Sequence, residues 1–160
     1  MNFKIIISLQ VIMFGMILMA NSQKMNFDKP AFYCAMATDK LEQINTQLAM
    51  IKGSSMDEKD AYEGALMMKK AGLITNTKEK INLFKAGRSK LEAAIKKDIA
   101  NTEFYFLRLI IQEHAPKVVN YRNNLQNDSL LIRSNFKTLP LVVQKAINEY
   151  SKNSKILKSL

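Results

Sequence analysis

The chain has 160 residues, of which 24 are basic and 14 acidic, so its formal net charge is +10. This length fits one domain whose core is large enough to fold without disulfides or a structural metal. Three prolines, five glycines and no tryptophan leave little turn material for a multi-stranded sheet and favour an all-helical protein. The lone cysteine excludes a disulfide within the chain.

The N-terminal segment has the layout of a secretory signal peptide. Lys4 precedes an apolar run over residues 5–20, which is shorter than the about 20 apolar residues that a membrane-spanning helix needs. The small residues Ala20 and Ser22 stand where a signal peptidase needs them for a cut after Ser22, and a cut after Ala20 is the alternative. We therefore predict a cleavable signal peptide over residues 1–22 and export to the periplasm or the extracellular space. An uncleaved anchor stays open as the alternative.

The first helix of the exported domain is predicted over residues 28–53. Asp28 and Pro30 are typical of a helix start, and apolar residues on one face continue to Gly53, which is typical of a helix end. Cys34 lies within an apolar run of this helix. We therefore predict a buried, unreactive thiol rather than a redox-active or dimer-forming one.

Two further helix starts follow along the chain. Ser55 and Glu58 form the pattern of a capping box, which predicts a second helix over residues 56–71. Asn76 with Glu79 predicts the start of a third helix. The residues expected on the inward stripe of this third helix are Ile81, Phe84, Arg88, Leu91, Ile95 and Ile99.

The most apolar segment after the signal peptide, residues 104–111, predicts a central buried helix. A strand is less favoured because the flanking segments lack hairpin turn chemistry. Pro116 and Pro140 each predict the start of a further helix. Residues 152–160 are rich in serine and lysine, and we expect them to fray. The sequence thus predicts an all-α domain over residues 23–151, an antiparallel bundle of five or six helices, followed by a flexible basic tail.

Reactive side chains are scarce in this sequence. The chain has one histidine and one cysteine, and it contains no HExxH, CxxC, GxSxG or glycine-rich phosphate-binding motif. Nucleophilic and metal catalysis both need a convergent set of such residues. We therefore expect no catalytic residues, no metal and no cofactor, and we predict a non-enzymatic interaction or structural protein of the cell envelope.

Polar residues in and after the aromatic helix are the candidates for ligand binding. They are Glu103, Arg108, Gln112, His114 and Asp128. Arg108 cannot remain buried without a carboxylate partner, for which Asp128 and Glu103 are the candidates. His114 lies at the helix end, where an imidazole commonly caps the last carbonyls. Two interpretations stay open: a structural ion pair, or a polar patch that binds an anionic ligand and makes the protein a small-ligand carrier.

The basic charge is unevenly distributed. Removing the signal peptide removes Lys4 and leaves 23 basic and 14 acidic residues, a net charge of +9. Nine basic and three acidic residues lie within residues 64–100, and eight and two within residues 116–160. Export argues against nucleic acid as the partner, so we expect an acidic protein or an anionic envelope component, or else a merely solvated basic surface. Peripheral membrane attachment through an uncleaved N-terminus or the basic tail over residues 145–160 stays open.

Residues 101–109 read Asn-Thr-Glu-Phe-Tyr-Phe-Leu-Arg-Leu, and the pattern continues through Gln112 and Pro116 to Asp128. This stretch resembles a group of small exported bacterial helical proteins that carry similar Asn-x-Glu-(Phe/Tyr)-x-Phe-Leu-Arg-Leu segments. The group has no assigned activity. The resemblance implies export from a bacterial cell and implies no catalytic residue.

Overall fold

The computed structural model describes residues 27–158, so the predicted signal peptide lies outside the described residues. Within this range the chain forms seven α-helices and no strand, which confirms the all-α class. The helices are α1 (Lys29–Ala37), α2 (Leu41–Gly53), α3 (Lys59–Leu73), α4 (Thr77–Lys97), α5 (Thr102–His114), α6 (Leu125–Asn135) and α7 (Leu141–Ser151), with short 3-10 turns at Lys117–Val119 and Phe136–Thr138. No helix within this part of the chain is both long and apolar enough to cross a membrane.

The prediction of a single helix over residues 28–53 is wrong, because the chain turns between α1 and α2. Thr38 is extended, with φ −100° and ψ 160°, and its hydroxyl accepts the backbone N–H of Lys40 at 3.2 Å. A short polar side chain that bonds to nearby backbone competes with the helix in this way. This break accounts for a seventh helix where five or six were predicted.

The predicted burial of Cys34 is also wrong, because the Cys34 side chain is exposed. The inward face of α1 carries Phe32, Ala35 and Met36, all of them buried. Cys34 follows Phe32 by two positions, which turns it about 200° around an α-helix and away from the core. An apolar sequence neighbourhood therefore does not decide which side of a helix a residue occupies.

One of the two predicted caps forms and the other does not. The side-chain oxygen of Asn76 accepts the backbone N–H of Glu79 at 3.0 Å, which confirms the predicted start of α4. The capping box at Ser55 is wrong, since α3 begins later, at Lys59, and its N-cap residue Glu58 makes no side-chain cap bond. Met56 packs against the core and the chain turns before the helix begins.

Helices α3 and α4 form a tight hairpin. A Cβ atom added at Gly64 would lie 2.6 Å from the carbonyl oxygen of Gly87, and a Cβ atom added at Gly87 would lie 2.6 Å from the carbonyl oxygen of Gly64. Real Cβ atoms do not approach oxygen this closely, so only glycine at both positions permits this backbone contact. One side of α4 therefore faces α3, and α4 also contacts α5.

Helix α5 is the central helix, as predicted. Ten of its 13 residues are buried, among them Phe106, Leu107 and Leu109 with no exposed surface. It contacts α3, α4 and α6. Because α5 is covered on nearly every side, each of its polar side chains needs a partner within the protein.

The helix predicted to begin at Pro116 does not form there. The chain makes only a 3-10 turn, in which the Val118 side chain is 89% exposed, and Asn120 adopts a left-handed conformation with φ 45°. Asparagine tolerates this conformation better than most residues, and it ends the turn. Helix α6 begins only after Asn124, whose backbone N–H donates to the side-chain oxygen of Gln112 on α5 at 3.1 Å.

The C-terminal segment is folded onto the domain as far as Lys158, in contrast to the flexible tail expected over residues 152–160. The Ser154 hydroxyl accepts the backbone N–H groups of Ile156 and Leu157, and the Leu157 side chain is fully buried. Arg133 on α6 donates to the carbonyl oxygens of Ile156 and Lys158. Burial of a leucine and these backbone contacts oppose the chain entropy that favours fraying. Residues 159–160 lie outside the described residues.

Candidate functional site

The polar residues of α5 separate into distinct clusters rather than meeting in one place. The Arg108 network consists of Arg108, Asp128, Glu92 and Tyr121. The Glu103 cluster consists of Glu103, Lys29, Tyr33 and Tyr62. The Glu113 cluster consists of Glu113, Tyr150, Ser154 and the backbone of Lys155. Each cluster joins α5 to a different part of the chain.

In the Arg108 network, one guanidinium group contacts two carboxylates. Arg108 Nε donates to Asp128 Oδ2 at 2.8 Å and Nη2 donates to Asp128 Oδ1 at 2.7 Å, while Nη1 donates to Glu92 Oε2 at 3.0 Å. The Arg108 side chain is 9% exposed and that of Asp128 is 2% exposed. The prediction of Asp128 as the partner is confirmed, and the alternative, Glu103, is wrong because it lies in its own cluster.

Glu92 was missed in the sequence, although a signal was present. Glu92 lies on α4 next to Leu91, which belongs to the predicted inward stripe. A carboxylate near the interior needs a hydrogen-bonded or charged partner. The second oxygen of Glu92, Oε1, accepts the hydroxyl of Tyr121 at 2.6 Å. The guanidinium of Arg88 lies 4.7 Å from the centre of the Tyr121 ring, which adds a second positive charge beside the two carboxylates.

Burial and the charged partners act in opposite directions on the pKa values of Asp128 and Arg108. Burial raises the pKa of Asp128 more than the hydrogen bonds from Arg108 lower it. Burial alone disfavours the charge on Arg108, but its bonds to Asp128 and Glu92 hold the pKa of Arg108 above its usual value. Burial and the hydrogen bond to Glu92 raise the pKa of Tyr121. The arginine is therefore charged, and the phenol is protonated, throughout the physiological pH range.

The Glu103 cluster joins α5 to α1 and α3. Glu103 Oε1 accepts the hydroxyls of Tyr33 at 2.7 Å and Tyr62 at 2.9 Å, and Oε2 accepts Lys29 Nζ at 2.8 Å. Burial and the adjacent Glu103 carboxylate raise the pKa values of both tyrosines. Both carboxylate oxygens of Glu103 are thus occupied by groups of the protein itself.

Gln112 and His114 occupy different surroundings at the end of α5. Gln112 is fully buried, and its amide exchanges two hydrogen bonds with Asn124, one to the backbone and one to the side chain. His114 is exposed, and its Nδ1 lies 3.0 Å from the carbonyl oxygen of Ile110. This is the contact that the sequence predicts for a histidine that caps the last turn of a helix.

The Glu113 cluster was not predicted. Glu113 accepts hydrogen bonds from the Tyr150 hydroxyl at 2.8 Å, the Ser154 hydroxyl at 2.7 Å and the backbone N–H of Lys155 at 2.6 Å. Burial alone raises the pKa of Glu113, but these three hydrogen bonds outweigh it and the net shift is downward. Sequence reasoning missed the cluster because two of its partners lie in the segment that was expected to fray.

The five predicted ligand-binding residues do not converge on one cavity. Arg108 and Asp128 contact each other, whereas Glu103, Gln112 and His114 each bond elsewhere. Within residues 27–158, Gln47 Oε1 on α2 is the only buried side-chain polar atom without a hydrogen-bond partner. No group of three His, Cys, Asp or Glu residues in this part of the chain could hold a metal ion.

An open depression of about 420 Å³ lies at the start of α4. Its lining consists of Asn76, Lys78, Glu79, Asn82 and Leu83. None of the five predicted ligand-binding residues contributes to it. The depression is wide open to solvent, so it does not exclude water in the way that small-molecule sites usually do.

Three lysines that are in no ion pair among the described residues lie on the outer side of α4. Lys78, Lys85 and Lys96 are exposed, and among the described residues none of them is in an ion pair. Their spacings of seven and eleven residues are close to two and three helical turns, so the three lie along one line. We call this side, defined by the three lysines, the basic face of α4. By contrast, Lys90 on the inner side contacts Asp60 at 2.6 Å and a second carboxylate at 3.1 Å.

No protein-family model, no curated protein and no solved structure matches this chain.

Proposed function

We propose that the protein is an exported, non-enzymatic helical interaction protein of a bacterial cell envelope, which acts through its outer surface. In this proposal residues 1–22 are a cleaved signal peptide and the helices behind them form an antiparallel bundle. The observation that carries the proposal is the contrast between satisfied interior charges and unpaired surface lysines. The interior side chains that could bind a ligand bond instead to the protein itself.

The interior of the Arg108 network is poorly suited to an anionic ligand. A phosphate or carboxylate that approached Arg108 would have to replace Asp128, which holds two short hydrogen bonds. It would also meet the negative charges of Asp128 and Glu92 at close range, beside an arginine side chain that is only 9% exposed. We therefore favour the structural interpretation of Arg108 over the small-ligand carrier.

The surface, unlike the interior, carries charged side chains that are available to a partner. Residues 23–160 carry a net charge of +9, and the lysines of the basic face extend this charge into solvent. Long-range attraction of this kind steers an anionic partner to a protein and speeds its association. An anionic envelope component or an acidic protein fits such a surface.

The export part of the proposal is tested by expressing the full chain in a bacterial host and measuring its location and mass. We expect the protein in the periplasm or the medium, with an N-terminus at Gln23 or Asn21. A chain that keeps Met1 and stays in the cytoplasm would contradict export.

The alternative of a small-ligand carrier is tested by native mass spectrometry of the purified protein together with an Asp128→Asn variant. We expect no small molecule bound to either protein. A stoichiometric ligand that the wild type binds and the variant loses would support a carrier instead. Unfolding midpoints of both proteins serve as the control for a general loss of structure.

A further inference from the structure

We infer that the basic face of α4 docks on an anionic lipid bilayer. This inference rests on the proposed function, because it names the partner of an exported interaction protein. The docking is peripheral: the face lies flat on the lipid headgroups and the helix stays outside the hydrocarbon core.

The shape and burial of α4 fit a flat partner. The helix has 21 residues, which corresponds to a length of about 32 Å. Its buried residues, Gly87, Leu91 and Ile95, lie on the side that faces the rest of the domain. On the opposite side Lys78, Lys85 and Lys96 are exposed, and among the described residues none of them is in an ion pair.

The charge on this face is not neutralised from within the protein. Glu92, seven residues after Lys85, lies close to the same line around the helix, but its two carboxylate oxygens are already bonded, one to Arg108 and one to Tyr121. Glu79 lies one residue from Lys78, so it points about 100° away around the helix, in the first turn where an acid offsets the helix dipole. Among the described residues, no ion pair neutralises the positive charge of the three lysines.

Two exposed isoleucines accompany the lysines. Ile81 lies between Lys78 and Lys85 and is 46% exposed, and Ile99 follows the helix end near Lys96 and is 73% exposed. The carbonyl oxygen of Ile99 accepts the hydroxyl of Tyr105 at 2.9 Å, which fixes the turn that presents this isoleucine. Lysines that reach lipid phosphates beside apolar side chains that enter the interface are the composition of a membrane-surface helix.

A bilayer fits this face better than an acidic protein does. The lysines are spaced seven and eleven residues apart, and a sheet of phosphates supplies negative charge at any spacing. A protein partner would need carboxylates at those same intervals and pockets for both isoleucines. The charged backbone of a nucleic acid offers no apolar surroundings for the isoleucines, and nucleic acid is not the expected partner of an exported protein.

The C-terminal segment is a poorer membrane anchor than α4. Ser154 bonds to Glu113, and Leu157 is buried in the core, so this part of the segment faces inward. Lys152 is in an ion pair with Glu149 at 2.7 Å. The lipid-binding charge therefore belongs to α4 rather than to the basic tail.

The test is co-sedimentation with vesicles of phosphatidylglycerol mixed with phosphatidylethanolamine, and with vesicles of phosphatidylcholine alone. The full chain is expressed and purified from the compartment where it accumulates, so that all variants share the same N-terminus. We expect binding to the phosphatidylglycerol vesicles that weakens as the NaCl concentration rises. The variant Lys78→Gln/Lys85→Gln/Lys96→Gln should bind them roughly 100-fold more weakly, since each lysine near an anionic surface contributes about fivefold.

A matched control carries the same change in net charge on other surfaces: Lys52→Gln/Lys137→Gln/Lys145→Gln. These three lysines are exposed and, among the described residues, in no ion pair. We expect this control to lose only a few-fold in binding. The variant Ile81→Ser/Ile99→Ser should lose mainly the binding that persists at high NaCl concentration.

Three outcomes would overturn the inference. The first is equal loss in both triple variants, which would assign binding to net charge alone. The second is no preference for phosphatidylglycerol over phosphatidylcholine. The third is tighter binding to polyglutamate than to the vesicles at the same NaCl concentration. None of these outcomes bears on export or on ligand binding in the interior. The inference and the proposed function can therefore fail independently of each other.

Discussion

The lysines on the basic face of α4 and the charged residues of α5 are in opposite situations. In α5, ten of 13 residues are buried, and its charged side chains Glu103 and Arg108 bond to other helices. In α4, only three of 21 residues are buried, and the three lysines of the basic face point into solvent without a partner. Charged side chains of α5 therefore stabilise the fold, whereas the lysines of the basic face of α4 are available to a partner. Which role applies depends on what covers the helix.

The largest effect that this comparison predicts is that of Arg108→Met. The substitution leaves Asp128 buried beside Glu92 with no positive partner, so we expect the free energy of unfolding to fall by about 3–5 kcal/mol at neutral pH. Urea denaturation followed by circular dichroism measures it. The double variant Arg108→Met/Asp128→Leu should recover most of the loss, because it removes the stranded charge as well. A single variant as stable as the wild type would mean that the network does not stabilise α5.

The next effect concerns the contact that decides which side of α4 is covered. Gly64→Ala places a Cβ atom 2.6 Å from the carbonyl oxygen of Gly87 and 2.8 Å from the backbone nitrogen of Leu91. Two backbones must separate to make room, and we expect a loss of about 1–3 kcal/mol. Gly72→Ala in the same helix is the control, since no atom lies within 4 Å of its added Cβ. It should stabilise the protein by about 0.5–1 kcal/mol through helix propensity. Equal effects at both glycines would contradict the tight hairpin.

A smaller effect is expected at Glu113, where the charge is only partly buried. Hydrogen bonds hold the pKa of the folded Glu113 below its usual value, so the unfolded chain binds the proton more readily. The stabilisation is therefore complete above the unfolded pKa, near pH 4.5, and is lost as the pH falls through the lower folded value. Glu113→Gln should cost about 1 kcal/mol at neutral pH. The gap between wild type and variant should close in acid, as thermal unfolding measured at several pH values will show. A gap that widens in acid would contradict the direction of the shift.

The smallest effect belongs to the basic face itself. Lys85→Met removes a positive charge as Arg108→Met does, but from an exposed position with no ion pair among the described residues. We expect the free energy of unfolding to change by less than about 0.5 kcal/mol. The same urea denaturation serves for both variants. If Lys85→Met costs as much as Arg108→Met, then the lysine is part of the fold and the contrast between the two helices is wrong.

Features that depend on nearby residues were predictable in part. The cap between Asn76 and Glu79 was predicted from their three-residue spacing and forms, whereas the same spacing at Ser55 and Glu58 gives no cap. The burial of α5 follows from its unbroken run of large apolar side chains. The turn at Thr38 was missed because a helical apolar pattern continues across it, and the burial of Cys34 was misjudged because sequence composition does not say which face packs.

The partners of the buried charges were predictable only in part. Asp128 was among the candidates for Arg108 because an interior arginine needs a carboxylate and few were in reach. Glu92 and the partners of Glu103 come from helices at sequence distances of 16 to 74 residues. No periodicity connects residues so far apart, and several carboxylates compete for each cation until the helices pack.

The sequence by itself determined the all-helical class, the net positive charge and the central place of α5, because composition and local periodicity decide these. Tertiary structure alone decided which charged side chains form ion pairs within the protein. Glu92 lies on nearly the same line of α4 as the lysines, but it bonds to Arg108 of α5, whereas Lys78, Lys85 and Lys96 are in no ion pair among the described residues. The free energy of a charged group depends on its surroundings, and those surroundings exist only once the chain is folded.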